Sequence, residues 1–365
     1  MHPHPLKRLW HSIIQPLDAW LMLFLGLLFV LSLLVLYSAS NETFGKIDNK
    51  LVYSALSFGI LWLLAWSRPQ TVMMFAPPVY LVGVLLLVAV ELFGIIVNGS
   101  QRWLNLGIMR IQPSEIMKIA LPMMVAWYFQ HNEGQIRWWH YLVGLAIILV
   151  PGVLILKQPD LGTATLIMTS GLFVLFFAGL SWKVILGAGT GFLASLPLVW
   201  HFMHDYQRRR VLTLLDPTQD PLGDGYHIIQ STIAIGSGGP WGKGWLSGTQ
   251  THLEFIPERT TDFIFAVYSE EFGLAGNLIL LLLYMAILSR GLMITARAQT
   301  LYGRLMAGSI TLTFFMYAFV NMGMVAGILP VVGVPLPFVS YGGTATVSLA
   351  VGMGMLMSIA NIDRR

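Results

Sequence analysis

Long apolar runs separated by short polar connections dominate the chain. A membrane-spanning helix needs about 20 mostly apolar residues. Ten runs approach or exceed that length, at residues 17–37, 51–67, 78–97, 114–130, 141–157, 163–180, 183–203, 263–289, 305–327 and 338–360. The pattern predicts an all-α, polytopic integral membrane protein that forms a single domain over residues 1–365.

Two stretches depart from a simple spanning helix. The segment VVGVPLP after Pro330 is apolar but contains Gly333, Pro335 and Pro337, which disfavour a continuous helix. It is predicted to be re-entrant or irregular, with its backbone satisfied by protein or by a wet cavity. The first run is followed by residues 38–40, Ser-Ala-Ser, which resemble a signal-peptidase site. Because this run is about twice as long as the apolar region of a signal peptide, it is predicted to be an uncleaved anchor.

The composition agrees with a membrane protein. The chain is 56% hydrophobic and only 10% charged, whereas a soluble domain carries about 25% charged residues. Such a chain has too little polar surface to face water, which excludes a soluble enzyme, a nucleic-acid-binding domain and a disordered scaffold. The chain has no cysteine, which excludes disulfides, thiolate nucleophiles and cysteine-ligated zinc.

Lysine and arginine in the connections predict the orientation, because short cytoplasmic loops carry an excess of them. With the N-terminus inside, the inner connections carry ten of these residues and the short outer connections carry five. Both termini are therefore predicted to be cytoplasmic. The large loop 204–262, between spans seven and eight, then lies outside, and its aromatic residues argue against disorder.

Several ionisable residues lie within or at the edge of the predicted spans, where each is unfavourable by roughly 2.5–3.5 kcal/mol. Glu115 and Lys118 are three residues apart and share a helix face. They form either a structural ion pair or the polar wall of a cavity near the outer surface. Glu270 and Glu271 are adjacent and point in different directions, so a structural role is favoured for them. Asp160 lies where a span begins on the outer side.

Asp262 opens the eighth span directly after the large outer loop. A carboxylate in the first turn of a helix is favoured by the helix dipole, so one interpretation is a helix-start residue. Asp262 also lies between Arg259 and the apolar residues 263–265. A carboxylate that is half in water and half against apolar surface can act as a base. The sequence alone leaves both interpretations open.

Basic residues on the outer side exceed what the topology requires. They are Arg102, Arg110, Lys157, Arg208, Arg209, Arg210, Lys243 and Arg259. The run 208–210 either contacts anionic headgroups or clamps a pyrophosphate, since arginine fits phosphate geometry. The surplus favours an anionic ligand at the outer membrane surface. The glycine-rich segment 236–244 is not a phosphate-binding loop, because Ser237 and Gly244 break the Walker A pattern.

Six sets of motifs carry a resemblance to a known family. They lie at residues 101–104 with 112–118, 158–163, 204–208, 224–231, 257–265 and 330–343. Together they resemble the SEDS family (shape, elongation, division and sporulation), whose signature is similar to PVVGVPLPFVSYGG at residues 330–343. Residues 205–208, Asp-Tyr-Gln-Arg, resemble the elongation members rather than the division members.

The resemblance implies a peptidoglycan glycosyltransferase in the cytoplasmic membrane of a bacterium. Such a protein polymerises lipid II, a disaccharide-pentapeptide on undecaprenyl pyrophosphate, into β-1,4 glycan strands at the outer, periplasmic face during elongation. The implied partners are a class B penicillin-binding protein, which is the transpeptidase that crosslinks the new glycan, together with lipid II, the nascent strand and membrane lipids, and no nucleic acid. The family's essential outer-loop acid falls on Asp262, and its functionally important tryptophan falls on Trp103.

A single displacement fits this reaction, because an α-linked pyrophosphate donor gives a β-linked product. It requires a base for the acceptor hydroxyl and cations for the departing pyrophosphate. Asp262 is the expected catalytic base. The expected substrate-binding residues are Trp103, Glu115, Lys118, Asp160, Arg208, Arg210, Arg259 and Ser340. A divalent cation, Mg²⁺ or Mn²⁺, could assist the diphosphate, although no residue spacing demands one.

Two other functions fit parts of the pattern. A flippase for the lipid-linked precursor fits the many spans, the intramembrane charges and the Gly/Pro-broken segment. The lack of an internal repeat and the concentration of polar residues on one side argue against it. A non-catalytic scaffold of the elongation complex predicts that changes at Asp262 leave function intact, whereas changes on exposed span faces do not.

Overall fold

The protein is a bundle of helices with one small sheet. The structure, a computed structural model, describes residues 15–97, 100–105, 107, 110–203, 205–220, 223–253, 255–256 and 258–361. Its helices are α1 (Ala19–Ala39), α2 (Phe44–Trp66), α3 (Pro69–Met74), α4 (Ala76–Phe93), α5 (Pro113–His131), α6 (Trp138–Lys157), α7 (Leu161–Phe177), α8 (Trp182–Phe202), α9 (Asp205–Leu215), α10 (Asp224–Gly238), α11 (Thr249–His252), α12 (Ile264–Arg297), α13 (Leu301–Val325) and α14 (Gly343–Ala360). A 3-10 helix, Pro217–Gln219, follows α9.

The sheet lies between α4 and α5. Its strands are β1 (Ile95–Val97), β2 (Ser100–Asn105) and β3 (Arg110–Ile111), and both neighbouring pairs are antiparallel. In the register of the first pair, Ile95 faces Trp103. The motif at residues 101–104 therefore lies on the central strand of the sheet, and β3 separates it from the beginning of α5.

A helix occupies each of the ten predicted positions. Seven of these helices, α1, α2, α4, α6, α12, α13 and α14, are long and apolar enough to cross a membrane. The apolar segments Leu161–Phe177 and Trp182–Leu198 are shorter, and α5 contains Pro122. The chain is therefore a helical, multi-pass membrane protein, as its apolar pattern predicts.

The helices pack in pairs around a buried centre. The main pairs are α2 with α14, α12 with α13, α7 with α13, and α4 with α5. Gly354 allows α14 to lie close to α2, because a Cβ at that position would lie 2.6 Å from the carbonyl oxygen of Leu61. In the most apolar 18-residue stretch of α13, 61% of the residues are buried inside the bundle. Helix α13 is therefore a central helix, and the site is built against it.

Helix α8 is an exception to this packing. Within the described residues, α8 makes no extended contact with another helix. Its apolar side chains point outward: Phe192, Leu193 and Leu198 are 59%, 63% and 61% exposed. Its large apolar surface is suited to contact with lipid, because lipid chains are as apolar as these side chains.

Helix α12 is broken near its beginning. Gly273 has φ 64° and ψ −160° inside the helix, a conformation that favours glycine. At the break, the backbone N–H groups of Leu274 and Ala275 donate to the carbonyls of Gly239 and Pro240, at 2.9 and 3.0 Å. The first part of α12 is thereby fastened to the large loop, whose described residues form α9, α10 and α11.

An ion pair fixes the end of the bundle where the described chain begins. The Arg290 Nη2 atom lies 2.5 Å from Asp18 Oδ2, and the Asp18 side chain is almost fully buried. The same carboxylate caps α1 by accepting the N–H of Leu21 at 3.1 Å. This pair is therefore a structural feature of α1 and α12.

Candidate active site

The family-signature segment forms an irregular loop between α13 and α14, as the sequence predicts. We call residues 330–342 the signature loop; most of it lacks helix or strand. Protein groups bond its backbone carbonyls: Asn321 Nδ2 donates to Val334 O at 2.6 Å, and Tyr284 OH donates to Pro337 O at 2.8 Å. These partners satisfy the carbonyls, which an irregular segment at membrane depth requires.

Ser340 joins the signature loop to the turn that precedes α12. Its hydroxyl accepts the N–H of Leu336 at 2.8 Å and donates to the carbonyl of Thr261 at 2.6 Å. The next residue, Tyr341, donates its N–H to Thr260 O at 2.8 Å. Ser340 is only 3% exposed, and its contacts here are to the protein itself. Whether it also binds substrate stays a prediction from the sequence.

Asp262 lies in that turn, partly exposed, one residue before the N-cap of α12. Its backbone carbonyl accepts Asn321 Nδ2 at 2.8 Å. Its carboxylate faces the signature loop, because a Cβ added at Gly333 would lie 3.4 Å from Asp262 Oδ2. The acidic side chain is thus held at the junction of the turn, the signature loop and α13.

The surroundings of Asp262 raise its pKa from 3.8 to about 7. Burial is the main cause, because it disfavours the charged form, and the negative charge of Glu258 and a hydrogen bond with Glu258 add to it. A carboxylate with a pKa near neutral is matched to proton transfer at neutral pH. This pKa fits the interpretation of Asp262 as a base, and that role stays a prediction.

Glu115 and Lys118 form an ion pair on α5 that also borders a cavity. Lys118 Nζ lies 2.6 Å from Glu115 Oε1, and Ser348 of α14 donates to Glu115 Oε2 at 2.8 Å. Lys118 Nζ also lies 5.3 Å from the ring centroid of Tyr317. Lys118, but not Glu115, lines a mostly apolar cavity of about 50 Å³, together with Tyr317, Ser348 and Pro335. The ion pair is therefore present, whereas a polar cavity wall near the outer surface stays a prediction.

Asp160 and Arg102 connect the sheet to α7. Arg102 Nη1 lies 3.3 Å from Asp160 Oδ2, and Arg102 Nη2 donates to the carbonyl of Pro159 at 3.3 Å. Asp160 also caps α7, because its Oδ1 accepts the N–H of Thr163 at 3.1 Å. Trp103, partly buried, follows Arg102 on β2. The ion pair fixes the strand that carries Trp103 to the beginning of α7.

These groups meet around residues 332–335 of the signature loop. A Cβ at Gly162, near the beginning of α7, would lie 2.5 Å from Val332 O. Leu166, Tyr317 and Val334 form a small buried cluster beside it. The loop therefore has Asp262 on one side, with Gly162 of α7 and Lys118 of α5 also beside it.

The arginines of the large loop bond to carbonyls of that loop and of α8. Arg208 donates to Trp200 O at 3.0 Å and to His201 O at 2.7 Å, which places its charge at the C-terminal end of α8. Arg259 Nη1 donates to Thr251 O at 2.5 Å. Arg210 lies on α9, whose main contacts are α10 and the 3-10 helix. Their roles toward substrate stay predictions.

Glu270 has the structural role that the sequence favours. It is fully buried, and its Oε1 lies 2.8 Å from Lys243 Nζ. The same carboxylate accepts the N–H of Gln250 at 2.9 Å and both the N–H and the hydroxyl of Thr251. It therefore anchors α11, to which Arg259 also bonds. Glu271 bonds to the hydroxyl of Ser38 on α1.

Three site residues were missed in the sequence: Lys46, Lys50 and Asn321. Asn321 is fully buried on α13, and a polar residue within an apolar run is a signal that could have identified it. Lys46 and Lys50 are two of the five lysines and arginines in the predicted short outer connections, because the predicted span begins at residue 51. In the structure α2 begins at Phe44, so both lysines project from its first turns.

Within the described part of the chain, few carboxylates lie near Asp262 that could bind a divalent cation. Among the described residues, no three His, Asp or Glu side chains are arranged to hold a metal ion. Asp262 and Glu258 are the carboxylates that meet in the turn. The Mg²⁺ or Mn²⁺ that the sequence leaves possible has no dedicated protein cage among the described residues.

We expect Asp160→Ala to lower the free energy of unfolding by about 1–2 kcal/mol, because it removes both a helix cap and an ion pair. Thermal unfolding of the purified protein in detergent measures this. The matched control is Glu133→Ala, which removes an exposed carboxylate that bonds to the Gln130 side chain and should change stability by less than about 0.5 kcal/mol. Equal effects of the two substitutions contradict the role assigned to Asp160.

Comparison with known proteins gives consistent relatives. The FtsW/RodA/SpoVE family model, described as "Cell cycle protein", matches residues 15–365. The chain is 53% identical to the peptidoglycan glycosyltransferase MrdB of Escherichia coli (strain K12), over 97% of this chain and 95% of that protein. It is 31% identical to the stage V sporulation protein E of Bacillus subtilis (strain 168), over 95% of this chain and 98% of that protein.

Two solved structures share the fold. A chain of the structure described as "Structural coordination of polymerization and crosslinking by a peptidoglycan synthase complex" is 32% identical, with a TM-score of 0.82 over 95% of this chain and 98% of that chain. The rod shape determining protein RodA of Thermus thermophilus is 26% identical, with a TM-score of 0.71 over 94% of this chain and 96% of that chain.

Proposed function

Because the chain belongs to the FtsW/RodA/SpoVE family of cell cycle proteins, we propose that it is a peptidoglycan glycosyltransferase that polymerises lipid II during cell elongation. The observation that carries the proposal is Asp262, a partly exposed carboxylate with a pKa of about 7 beside the signature loop. The glycosyltransferase relative from Escherichia coli, 53% identical over nearly the whole chain, supports it.

We propose that the reaction occurs at the outer face of the bacterial cytoplasmic membrane. The ten helices then cross the membrane ten times within one domain, residues 1–365. Both termini are cytoplasmic, and the large loop 204–262 is periplasmic. The charge bias of the connections supports this orientation. Asp262 and the signature loop beside it are then on the side where lipid II is presented.

In the proposed mechanism, Asp262 acts as a general base. Its carboxylate takes the proton of the acceptor's 4-hydroxyl while the hydroxyl oxygen forms a bond to the anomeric carbon of the donor. The bond from that carbon to the phosphate oxygen breaks, and the undecaprenyl pyrophosphate leaves with the electron pair. One displacement inverts the α-linkage to a β-1,4 linkage, and the proton remains on Asp262 until solvent removes it.

The remaining predicted residues are assigned to the substrate. Cations stabilise the departing pyrophosphate because negative charge develops there; the candidates are Lys118, Arg208, Arg210 and Arg259. Glu115 and Asp160 orient Lys118 and Arg102, as their ion pairs support. Trp103 binds substrate at the sheet, and Ser340 holds the signature loop in the conformation that the substrate meets.

The apolar tail of lipid II requires a groove open to the bilayer. An apolar cavity of about 410 Å³ lies between α1, α2 and α14, with Phe338 of the signature loop among its lining residues. Its lining also includes Leu25, Phe29 and Phe58. Such a surface supports binding of a polyprenyl chain, with the pyrophosphate and sugars directed toward the large loop.

The partner is proposed to be a class B penicillin-binding protein. The solved structure with the higher TM-score of the two belongs to a peptidoglycan synthase complex in which polymerization and crosslinking are coordinated. A polymerase of this kind releases a nascent strand whose peptides need a transpeptidase. This protein would supply the strand that the penicillin-binding protein crosslinks, which gives the two a reason to associate.

The test of the proposed function is polymerisation of purified lipid II by the purified protein in detergent. Detergent removes the two sides of a membrane, so a flippase has no activity to show there. A glycosyltransferase produces glycan strands that gel electrophoresis resolves. No strand formation, even with the penicillin-binding partner present, would favour the flippase or the scaffold.

The rate of polymerisation is expected to rise as the pH increases through about 7. Asp262 serves as a base only when it is deprotonated, and a pKa of about 7 leaves roughly a tenth of it ionised at pH 6 and about nine-tenths at pH 8. Initial rates measured across this range check the expectation. A rate that falls with increasing pH contradicts it.

The matched variants for this profile are Glu258→Gln and Glu133→Gln. Removing the charge of Glu258 lowers the pKa of Asp262, so the profile should shift to lower pH by up to about one unit. Glu133 follows the end of α5, is exposed, and accepts a hydrogen bond from the Gln130 side chain. Its substitution should therefore leave the pH profile unchanged.

A further inference from the structure

Lys50 is a buried lysine whose ammonium group bonds to the signature loop. The residue is 1% exposed. Its Nζ donates to Phe338 O at 3.2 Å and to Ser340 O at 2.6 Å. Among the described residues, Lys50 has no carboxylate within ion-pair distance. A buried charge is retained only when hydrogen bonds compensate its lost hydration, and here loop carbonyls provide them.

The loop segment that Lys50 holds has a strained residue. Phe338 has φ 59°, which is unfavourable for a residue other than glycine and persists only where the surroundings enforce it. Lys50 bonds to the carbonyl of this residue and to that of the second residue after it. The two bonds fix the backbone on both sides of Val339, so they hold the loop in this conformation from the side of α2.

The same loop segment is joined to the turn that carries Asp262. Ser340 donates to Thr261 O, and Tyr341 donates to Thr260 O at 2.8 Å. One helical turn before Lys50, Lys46 Nζ donates to Thr260 Oγ1 at 3.1 Å. A continuous set of hydrogen bonds therefore runs from α2 through the signature loop to the residue immediately before Asp262.

We propose that Lys50 is a positioning residue for glycan polymerisation: its buried ammonium fixes the signature loop and, through it, the orientation of the Asp262 turn. The inference rests on the proposed function, in which Asp262 is the base. Lys50 does not touch substrate in this role. Its effect is on the rate of the chemical step, because a base displaced by about 1 Å loses much of its catalytic effect.

The test compares Lys50→Met with Arg290→Met in the full-length protein, assayed with purified lipid II. Methionine keeps the apolar stem of Lys50 but removes the donor, so kcat should fall about 10- to 100-fold while KM changes less than about threefold. Arg290→Met removes a partly buried cation from its pair with the buried Asp18, on α12 beyond Tyr284, which bonds to the loop. It should lower the melting temperature at least as much, with kcat within about twofold of wild type.

Hydrogen exchange supplies a readout that does not depend on activity. In Lys50→Met, exchange should accelerate at least about tenfold at the amides of Leu336 and Tyr341, which bond to Ser340 Oγ and Thr260 O. In Arg290→Met these amides should keep wild-type rates. If wild type makes no glycan, the proposed function fails, and these amides still decide whether Lys50 fixes the loop.

Two further variants complete the test: one replaces Lys50→Met if that variant does not fold, and the other keeps the positive charge. If Lys50→Met does not fold, Lys50→Gln, which keeps a neutral donor, should show the same accelerated amides with a fall in kcat of about fivefold. Lys50→Arg, which keeps the charge, should recover at least half of the lost kcat on a logarithmic scale. The proposal is overturned if Lys50→Met keeps wild-type kcat and exchange, or if Arg290→Met loses kcat equally.

Discussion

Asp262→Asn is expected to reduce polymerisation of purified lipid II to below about 1% of the wild-type rate, because general base catalysis contributes about 10²- to 10⁴-fold. Asparagine has nearly the same size as aspartate but cannot accept the proton. The backbone carbonyl at this position, which accepts Asn321 Nδ2 at 2.8 Å, is unaffected. The variant should therefore fold and bind its partner normally.

The measurement is the glycan yield over time with the variant and its partner both purified, together with the melting temperature. Asp216→Asn is the matched control, because Asp216 is an exposed carboxylate of the same large loop that bonds to Thr218 and Gln219. It should polymerise at close to the wild-type rate. Near-normal polymerisation by Asp262→Asn rejects the assignment of the base and favours the scaffold.

Lys118→Met is expected to remove activity and to destabilise the protein by about 2–3 kcal/mol. Loss of one member of a fully buried pair gives 3–5 kcal/mol, and this pair is partly exposed, with side chains 12% and 17% accessible. Glu115 would be left with the hydroxyl of Ser348 as its side-chain partner. Thermal unfolding and the polymerisation assay measure the two effects separately.

The double variant Glu115→Gln/Lys118→Met distinguishes the two roles of the pair. If the pair serves only packing, removing both charges should restore much of the stability and the activity. If Lys118 also contacts the pyrophosphate, stability should recover while polymerisation stays below about 1%. Lys157→Met is the control, because its ion pair with Glu91 is exposed, at 3.7 Å, and should contribute less than about 1 kcal/mol.

The apolar pattern predicted the helices well, since a run of about 20 apolar residues in a membrane protein has few other conformations. Helix ends were predicted less well where charged residues of the site lie in the terminal turns of a helix. The second span was predicted from residue 51, whereas α2 begins at Phe44. Lys46, Asp48 and Lys50 made these residues appear to be a connection, although two of them bond to the turn and the signature loop.

The candidate site was predicted in part. Charges at the ends of the spans indicated Asp262, Glu115, Lys118 and Asp160 as candidates, while the resemblance assigned Asp262 as the base, which stays a prediction. Contacts between distant segments could not be predicted. Lys50 and Phe338, for example, are in contact but are separated by 288 positions. A single sequence gives no information about which distant segments meet. For the same reason the sequence could not show that α5, α7 and the turn before α12 meet around residues 332–335.

The sequence predicted that the large loop is ordered, but it did not predict which contacts hold the loop in place. Its order depends on Glu270, a carboxylate beyond the end of the loop that anchors α11 from within α12. The sequence favoured a structural role for this residue without indicating its partners. The break at Gly273 was also missed, because glycine within an apolar run is common in membrane helices.

The isolation of α8 has a consequence for how the protein responds to its surroundings. A helix held by few protein neighbours takes its tilt mainly from the thickness of the hydrocarbon layer, whereas tightly packed helices resist such change. The apolar part of α8, Trp182–Leu198, extends about 26 Å at 1.5 Å per residue, slightly less than the layer's thickness of about 30 Å. Acyl-chain length should therefore alter the angle of this one helix, and the entry of the large loop that follows it, before it alters the rest of the bundle.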